Sequence, residues 1–585
     1  MIRARLSTTL AAAATAAVLL LAGCSDPEPD AGPAPEPSRT LGGSVAVAEA
    51  NDFTSFNPQS VSGNNVANAR IAYATHSGFN YVDNNLDIVK LEDFGRYEKT
   101  SDDPLTVKYT VNEGVQWSDG EPVDADDMML AWAAFSGWFD DGDTRYFDFA
   151  GSTEALASTD LPEIGDDNRS ITLTWSEPYA DWETAFGSLT DWGGIGMPAH
   201  IVARKAGLAD DEALTRLIRE TPRGSGEDEE LRAVADFWNT GFSMDTLPAD
   251  PSLYLSNGPF IVHSMADDGT LTLVRNDDYD WGPEPALDEI TVHFIADPAA
   301  QVEALRSGEV DIVSPLPDSG TVTALQALDN VTVQQGNQLS YDHLDLKFNG
   351  VFADRSVREA FLLTVPRAEI VEAVLGGVDP AARPLDSQVF LPDQPGYEAA
   401  AAENGSDDFA EPDLDRARGL LDGDTPEVRI LYNADNPNRA EAFRLIADSA
   451  AEAGFQVVDG GLPGDRWAQA LEEGNYDAAL FGWTSTGVGT AAVAQVFGSG
   501  SPSNYNGFSS AAADGLMDKL RLAGDAEEQE ALQIEIDALI WEARYGLPLF
   551  QMPGVDAFAD TVRNVEYMPN ELGPWWNLWE WNVSS

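Results

Sequence analysis

One thiol, five scattered imidazoles and 99 carboxylates are the groups in this 585-residue chain with the most chemistry to offer. The thiol is Cys24, which closes Leu21-Ala22-Gly23-Cys24 behind an apolar run from Leu10 to Leu21, with Arg3 and Arg5 ahead of it. A basic start, a short apolar stretch and small residues before the cysteine predict an export signal over residues 1–23. The imidazoles (His76, His200, His263, His293, His343) show no paired metal spacing. There is no Gly-x-Ser-x-Gly elbow, no His-Glu-x-x-His helix and no Walker loop. With so many carboxylates, acid pairs arise by chance and anchor no glycosidase reading. The residues therefore predict no enzyme, no metal and no cofactor.

The balance of 33 basic against 99 acidic residues gives a net charge of −66. A phosphate backbone needs Lys and Arg, so nucleic acid is excluded as a partner. The acid reads as a solvated surface that keeps the chain soluble, or as adaptation to salt. Residues 24–40 are rich in Pro, Ala and acid, cannot bury a core, and read as a flexible tether. No disulfide is available to the body, so stability must come from burial.

The elements that must position any site alternate between strand and helix. Val428–Leu431, Phe455–Val458 and Asp477–Phe481 read as strands separated by a helix from Asn436-Pro437 to Ala453 and another from Asp465 to Glu473. Gly454 and Gly474 stand just past the two helix ends. That order predicts parallel strands with crossover helices, an α/β fold. A further helix is expected from Asp525 to Gly546, followed by a strand Leu547–Phe550. In the first half, strands are expected at Ser44–Ala48, Thr106–Val111, Ile171–Trp175 and Leu271–Val274. Helices are expected at Asn64–Ser77, from Asp124 to Phe135, and over Leu208–Asp236 with a break at Gly224-Ser225-Gly226. The cluster Trp575, Trp576, Trp579 and Trp581 is expected in a core.

Several blocks in fixed order resemble a known family. They are Lys108–Val123 with Ala125-Asp126-Asp127; Asn257–Phe260; Val274–Gly282 leading into Leu287–Val292 and Ser307–Ile312; Phe348-Asn349 with Val357–Ala360; Tyr476-Asp477 through Gly482-Trp483; and Asn504-Tyr505 with Asp514. Together they are similar to the extracytoplasmic solute-binding proteins of peptide-type ABC importers, family 5. Leu-Ala-Gly-Cys resembles the bacterial lipobox, which implies lipidation of Cys24 and a place at the outer face of the cytoplasmic membrane. The resemblance implies a two-lobed periplasmic-binding-protein-like fold, with an inserted subdomain in the first lobe and a hinge between lobes. It divides the chain into 41–297 (first lobe, subdomain about 79–189), 298–550 (second lobe) and 551–585 (return to the first). Crossings are expected near Ile295–Pro298 and Pro548–Pro553.

Ligands of open α/β layers meet the carboxyl ends of strands. The strand ending at Phe481 leads into Trp483, Thr484, Ser485 and Thr486, an aromatic wall with three hydroxyls suited to an uncharged or zwitterionic solute. Loops expected at the same cleft add Asn51, Phe53, Ser55, Phe56 and Asn57; Tyr341, Asp342 and His343 ahead of Asn349; and Asn504, Tyr505 and Asn506. In the peptide receptors an aspartate stands three places after this tryptophan and holds the peptide ammonium; here the position is Thr486. A hydroxyl cannot neutralise a buried ammonium, which leaves Glu49, Asp52 and Asp342 as substitute acids.

The expected function is a lipid-anchored, monomeric receptor that captures oligopeptides or a similar polar solute and delivers it to ABC permease subunits. The alternatives are a receptor for a glycan, siderophore or metal chelate, a secreted hydrolase, or a surface adhesion lipoprotein.

Overall fold

Runs of β-branched and aliphatic residues build a ten-stranded mixed sheet in the computed structural model, which describes residues 41–142, 144–189, 194–226, 228–484, 488–501 and 503–584. Across the sheet the strands run Gln456–Leu462, Glu427–Asn433, Ala478–Thr484, Val331–Leu346, Gly546–Ala559, Ile312–Val313, Ser44–Glu49, Glu289–Phe294, Leu271–Arg275 and Phe260–Met265. The three strands expected between Val428 and Phe481 are present and parallel, with Val428 opposite Val457 and Ile430 opposite Ala478. Local chemistry sets the helix between the first two. The Asn436 side chain accepts from the backbone N–H groups of Asn438 and Arg439, Pro437 opens the first turn, and Gly454 closes the helix at φ 115°. The next helix, Asp465–Glu473, stops at Gly474 with φ 70°.

The helix Ala526–Ala543 begins at Asp525 as expected but does not run to Gly546. Arg544 ends it in the left-handed region at φ 59°, and its guanidinium donates to the Trp541 carbonyl at 2.9 Å. In the first half, Asn65 caps the helix Val66–Thr75, and Asp124 with Asp127 forms a capping box for Ala125–Phe135. The stretch around Gly224 separates two helices, Asp211–Glu220 and Glu229–Thr240. A separate four-stranded antiparallel sheet (Gly95–Asp102, Leu105–Val111, Ser170–Thr174, Glu163–Ile164) falls inside the span expected for an inserted subdomain.

The molecule has two main cores. The first gathers Trp117, Trp132, Trp175 and Trp238 with the C-terminal Trp575 and Trp581. Each such indole removes roughly 200 Å² from water, about 5 kcal/mol at 25 cal/mol per Å². The terminal tryptophans are also pinned by polar bonds: Trp575 Nε1 donates to Glu49 at 2.7 Å, and Tyr73 donates to the Trp576 carbonyl at 2.8 Å. The second core is built on Leu344, Phe361, Ile430, Ile446, Leu480 and Leu547. This is a two-lobed α/β fold.

The lobes are joined by one antiparallel pair, Val331–Leu346 against Gly546–Ala559. Val331–Asn337 pairs on the first-lobe side and Tyr341–Asp345 on the second; between Asn337 and Tyr341 the register shifts. The crossing expected near Pro548–Pro553 lies within this pair. The crossing expected near Ile295–Pro298 does not occur there. After Phe294 the chain forms the helix Pro298–Ser307 and the strand Ile312–Val313, which pairs with Val47–Ala48. Val302, Leu305, Val322 and Leu325 then pack against Ala48, Val555 and Ala557, and this apolar patch keeps residues 298–330 beside the first lobe.

Candidate functional site

The carboxyl end of Ala478–Thr484 opens onto a cleft of ≈ 530 Å³. Its floor is Tyr341, Trp483 and Thr484; Tyr341 stands directly opposite Trp483 in the strand pairing. One wall is the segment Gln388–Pro395, a second is the helix Ala491–Phe497, and a third is the Gln529–Gln533 stretch of the helix Ala526–Ala543. The first lobe reaches in with Asn85 and Leu86. Leu86 holds φ 65°, an uncommon conformation for a branched residue. The turn is fixed by Asp83, whose carboxylate accepts from the N–H groups of Asn85 (2.9 Å) and Asp87 (3.0 Å). Leu86 thereby packs on Leu339, Leu385 and Leu391 of the facing side.

The lining is amide-rich. Gln388, Gln394, Gln495, Gln529 and Gln533 contribute side chains, with Asp393 and Glu530 as carboxylates; among the described residues no Lys, Arg or His lines the cleft. Trp483 is stacked parallel to Tyr505 at 6.1 Å and to His343 at 6.3 Å between ring centres. Its buried indole N–H finds no acceptor among the described residues. The wall segment is anchored from behind. Gln388 donates its backbone N–H to Asp537 at 2.7 Å and its side-chain amide to the Gly546 carbonyl at 3.0 Å. Burial pushes the Asp537 carboxyl up to about 6, against the lowering effect of Asn404 and the Gln388 N–H. Burial also raises the Tyr341 phenol, which donates to the Gln388 carbonyl at 3.4 Å. Such a surface can read hydrogen bonds and stack flat groups, and it offers no countercharge to an anion.

Of the residues singled out from the sequence, Tyr341, Trp483 and Thr484 line this cleft. Ser485 and Thr486 lie outside the described residues, as does Cys24. Tyr505 stands behind Trp483 as its stacking partner. The others do not line the cleft. Asp342 is buried and held by both arms of Arg439, at 3.0 and 2.8 Å. His343 is buried with Nδ1 2.7 Å from Asp345. Asn349 opens the 3-10 turn Gly350–Ala353. Asn504 ties a turn together, donating to the Gly498 and Phe508 carbonyls at 2.9 Å each, and buried Asn506 accepts from the Phe508 N–H. Asn51 is exposed. Phe53 and Phe56 face each other edge-on at 5.0 Å inside the first core. Ser55 accepts from the Asn57 N–H, and the Asn57 amide donates to the Trp238 carbonyl at 2.8 Å, so that loop closes on its own lobe. Of the substitute acids, Glu49 is paired with Arg70 at 2.8 Å and bonded to Trp575; Asp52 is exposed.

The sequence reading missed Asn85, Leu86, the Gln388–Pro395 wall and the glutamines of two helices. Gln529 and Gln533 stand four apart, so they share a helix face; that polar pair was a readable signal. The wall segment has no periodicity to announce it.

Among the described residues no group of three or more His, Cys, Asp and Glu could hold a metal ion, and no helix is long and apolar enough to cross a membrane. Residues 93–505 match the profile of the bacterial extracellular solute-binding proteins, family 5. An uncharacterised lipoprotein of Mycobacterium tuberculosis is 27% identical over 551 residues, 91% of this chain and 92% of the relative. The oligopeptide-binding protein OppA of the same species is 25% identical over 547 residues, 89% of this chain and 82% of the relative. Among solved structures, the periplasmic EDTA-binding protein EppA superposes with a TM-score of 0.79 at 23% identity, covering 94% of this chain and 98% of EppA. The oligopeptide-binding protein AppA of Bacillus subtilis, in complex with a nonapeptide, gives 0.69 at 18% identity over 94% of this chain and 100% of AppA. The match to the family profile spans well over half of the sequence, and the chain belongs to family 5 of the bacterial extracellular solute-binding proteins.

Proposed function

We propose that the protein captures a peptide-like polar solute, uncharged or cationic, in the cleft beside Trp483 and hands it to the membrane subunits of an ABC importer. Members of the family are substrate receptors, not enzymes. One observation carries the choice of solute: the cleft presents a row of amides and two carboxylates around aromatic rings, with no basic side chain among the described residues. A peptide backbone offers donors and acceptors that such amides can read. A polycarboxylate would sit between Asp393 and Glu530 with nothing to neutralise it. The relation to OppA supports a peptide. A neutral glycan is the second reading, favoured by Trp483 and Tyr341 on the floor of the cleft.

In this reading Cys24 carries a lipid, residues 24–40 tether the body, and the receptor works as a monomer outside the cytoplasmic membrane. The names of the mycobacterial lipoproteins support the anchor. Tyr341, Trp483 and Thr484 are the ligand contacts retained from the sequence. The first lobe is drawn to Asn330 rather than to Asp297, because residues 298–330 pack with its sheet.

Thermal melts with short neutral or basic peptides, neutral oligosaccharides and EDTA test the choice. A true ligand at a hundred times its Kd stabilises by about 2.7 kcal/mol. The expected ranking is basic or neutral peptide above oligosaccharide, with no shift from EDTA. Stabilisation by EDTA alone would overturn it.

A further inference from the structure

We propose that Asp181 is a positioning residue for the ligand cleft, supplied by the first lobe to the wall helix Ala491–Phe497 of the second. The inference rests on reading that cleft as the ligand site. The helix presents Ala492, Val493, Gln495 and Val496 to the cleft. Backbone N–H groups at a helix start need acceptors from outside the helix. The residue that precedes this one, Thr490, makes no side-chain capping bond. The acceptor comes instead from 309 and 310 residues away: Asp181 Oδ2 receives the N–H of Thr490 at 2.8 Å and of Ala491 at 3.1 Å.

Both sides of the contact are built for it. Gly489 sits at φ +83°, and a Cβ there would stand 2.8 Å from the Asp181 carboxyl group. Only glycine allows the carboxylate this close to the chain at that conformation. On the first-lobe side, Asp181 is flanked by residues tied to the lobe. The Tyr109 hydroxyl donates to the Trp182 carbonyl at 3.4 Å, and the Asn80 amide donates to the Glu183 carbonyl at 2.9 Å. A second strut runs beside the first: the Ala180 N–H donates to the Arg521 carbonyl at 2.9 Å, and Arg521 pairs with Glu177 at 2.8 Å.

These bonds join the two lobes, so they exist only while the lobes meet. Asp181 therefore fixes one wall of the cleft at the moment of closure and biases the molecule towards the closed form. Burial raises the Asp181 carboxyl while the Thr490 and Ala491 N–H groups lower it. The position thus requires a hydrogen-bond acceptor more than it requires a full charge, and asparagine should replace it in part.

Amide hydrogen exchange of the full chain tests this. Asp181→Ala should speed exchange at Thr490 and Ala491 about tenfold. Binding of a defined pool of short peptides, read by calorimetry, should weaken by a similar factor. Asp181→Asn should recover most of both effects. Glu177→Gln, in the exposed strut, should change neither by more than about twofold. Gly489→Ala should reproduce the loss from the opposite side, by pushing the carboxylate away, with Asp181 itself unchanged. Unchanged exchange at Thr490 and Ala491 in Asp181→Ala would overturn the proposal. Faster exchange with peptide affinity equal to the wild type would also overturn it. Faster exchange in a protein whose wild type binds none of the peptides would leave Asp181 as the determinant of the wall's position and refute the proposed cargo.

Discussion

Asp342 shows how a residue can stand in the right place for the wrong reason. It lies on the strand that carries Tyr341, next to the cleft floor, and reads in sequence as a free acid. Its partner, Arg439, is 97 positions away on the helix Pro437–Ala453 and claims both carboxylate oxygens. No local pattern announces such a pairing. Arg439→Ala leaves a buried carboxylate unpaired, which costs about 3–5 kcal/mol. Chemical denaturation should show that loss in the absence of any ligand. A variant of unchanged stability that fails only in binding would instead return Asp342 to the ligand. Trp483 was legible because an aromatic at the carboxyl end of a parallel strand marks a site by topology alone. Tyr341, expected in a loop, belongs instead to the strand Val331–Leu346, whose antiparallel pairing sets it opposite Trp483. Asn504 was legible as a polar turn, but its amide is spent on the Gly498 and Phe508 carbonyls.

At the scale of elements, most of the α/β half could be read because caps and stops are local. Asn436 before Pro437, and Gly454 and Gly474 after their helices, each act within one turn. Of the two crossing segments, Val331–Leu346 could not be read, because its pairing with Gly546–Ala559 joins segments about two hundred residues apart. On the first-lobe side of that pair Gly336 stands opposite Gly554, and Tyr567 covers both. The Tyr567 hydroxyl donates to the Asn337 carbonyl at 3.0 Å. A Cβ at Gly336 would lie 2.5 Å from the Tyr567 ring. Gly336→Ala should therefore cost about 1–3 kcal/mol, and the double variant with Tyr567→Ala should relieve part of that cost. An additive cycle would contradict the packing account. The register shift between Asn337 and Tyr341 places the irregular part of both crossing segments where the two cores part, and bending of the lobes is expected there.

For the whole molecule the governing quantity is charge. A net −66 spread over one chain repels itself, and the repulsion falls as carboxylates take up protons. Buried carboxyls act in the same direction. Desolvation pushes Asp124 to about 7, and Asp537 and Asp556 to about 6. For a carboxyl raised in the folded state, the folded chain binds the proton first, so stability grows as pH falls through the raised value and is lost as pH rises through it. The denaturation midpoint should climb as pH is lowered from about 8 to about 5. Added salt at pH 8 should recover part of the difference by screening the surface. A midpoint that falls over that pH range would contradict this. The extreme charge was plain from composition; which carboxyls are buried was not, since Asp124 serves as an ordinary helix cap in sequence.

The proposed function requires a small polar solute held beside Trp483. Native mass spectrometry of the protein purified from cells, beside Trp483→Ala prepared identically, tests this most directly. The wild type should carry a bound, uncharged or cationic small molecule that collisional activation releases, and Trp483→Ala should carry little or none. A wild type that flies bare, together with no thermal shift from any peptide or oligosaccharide, would contradict it.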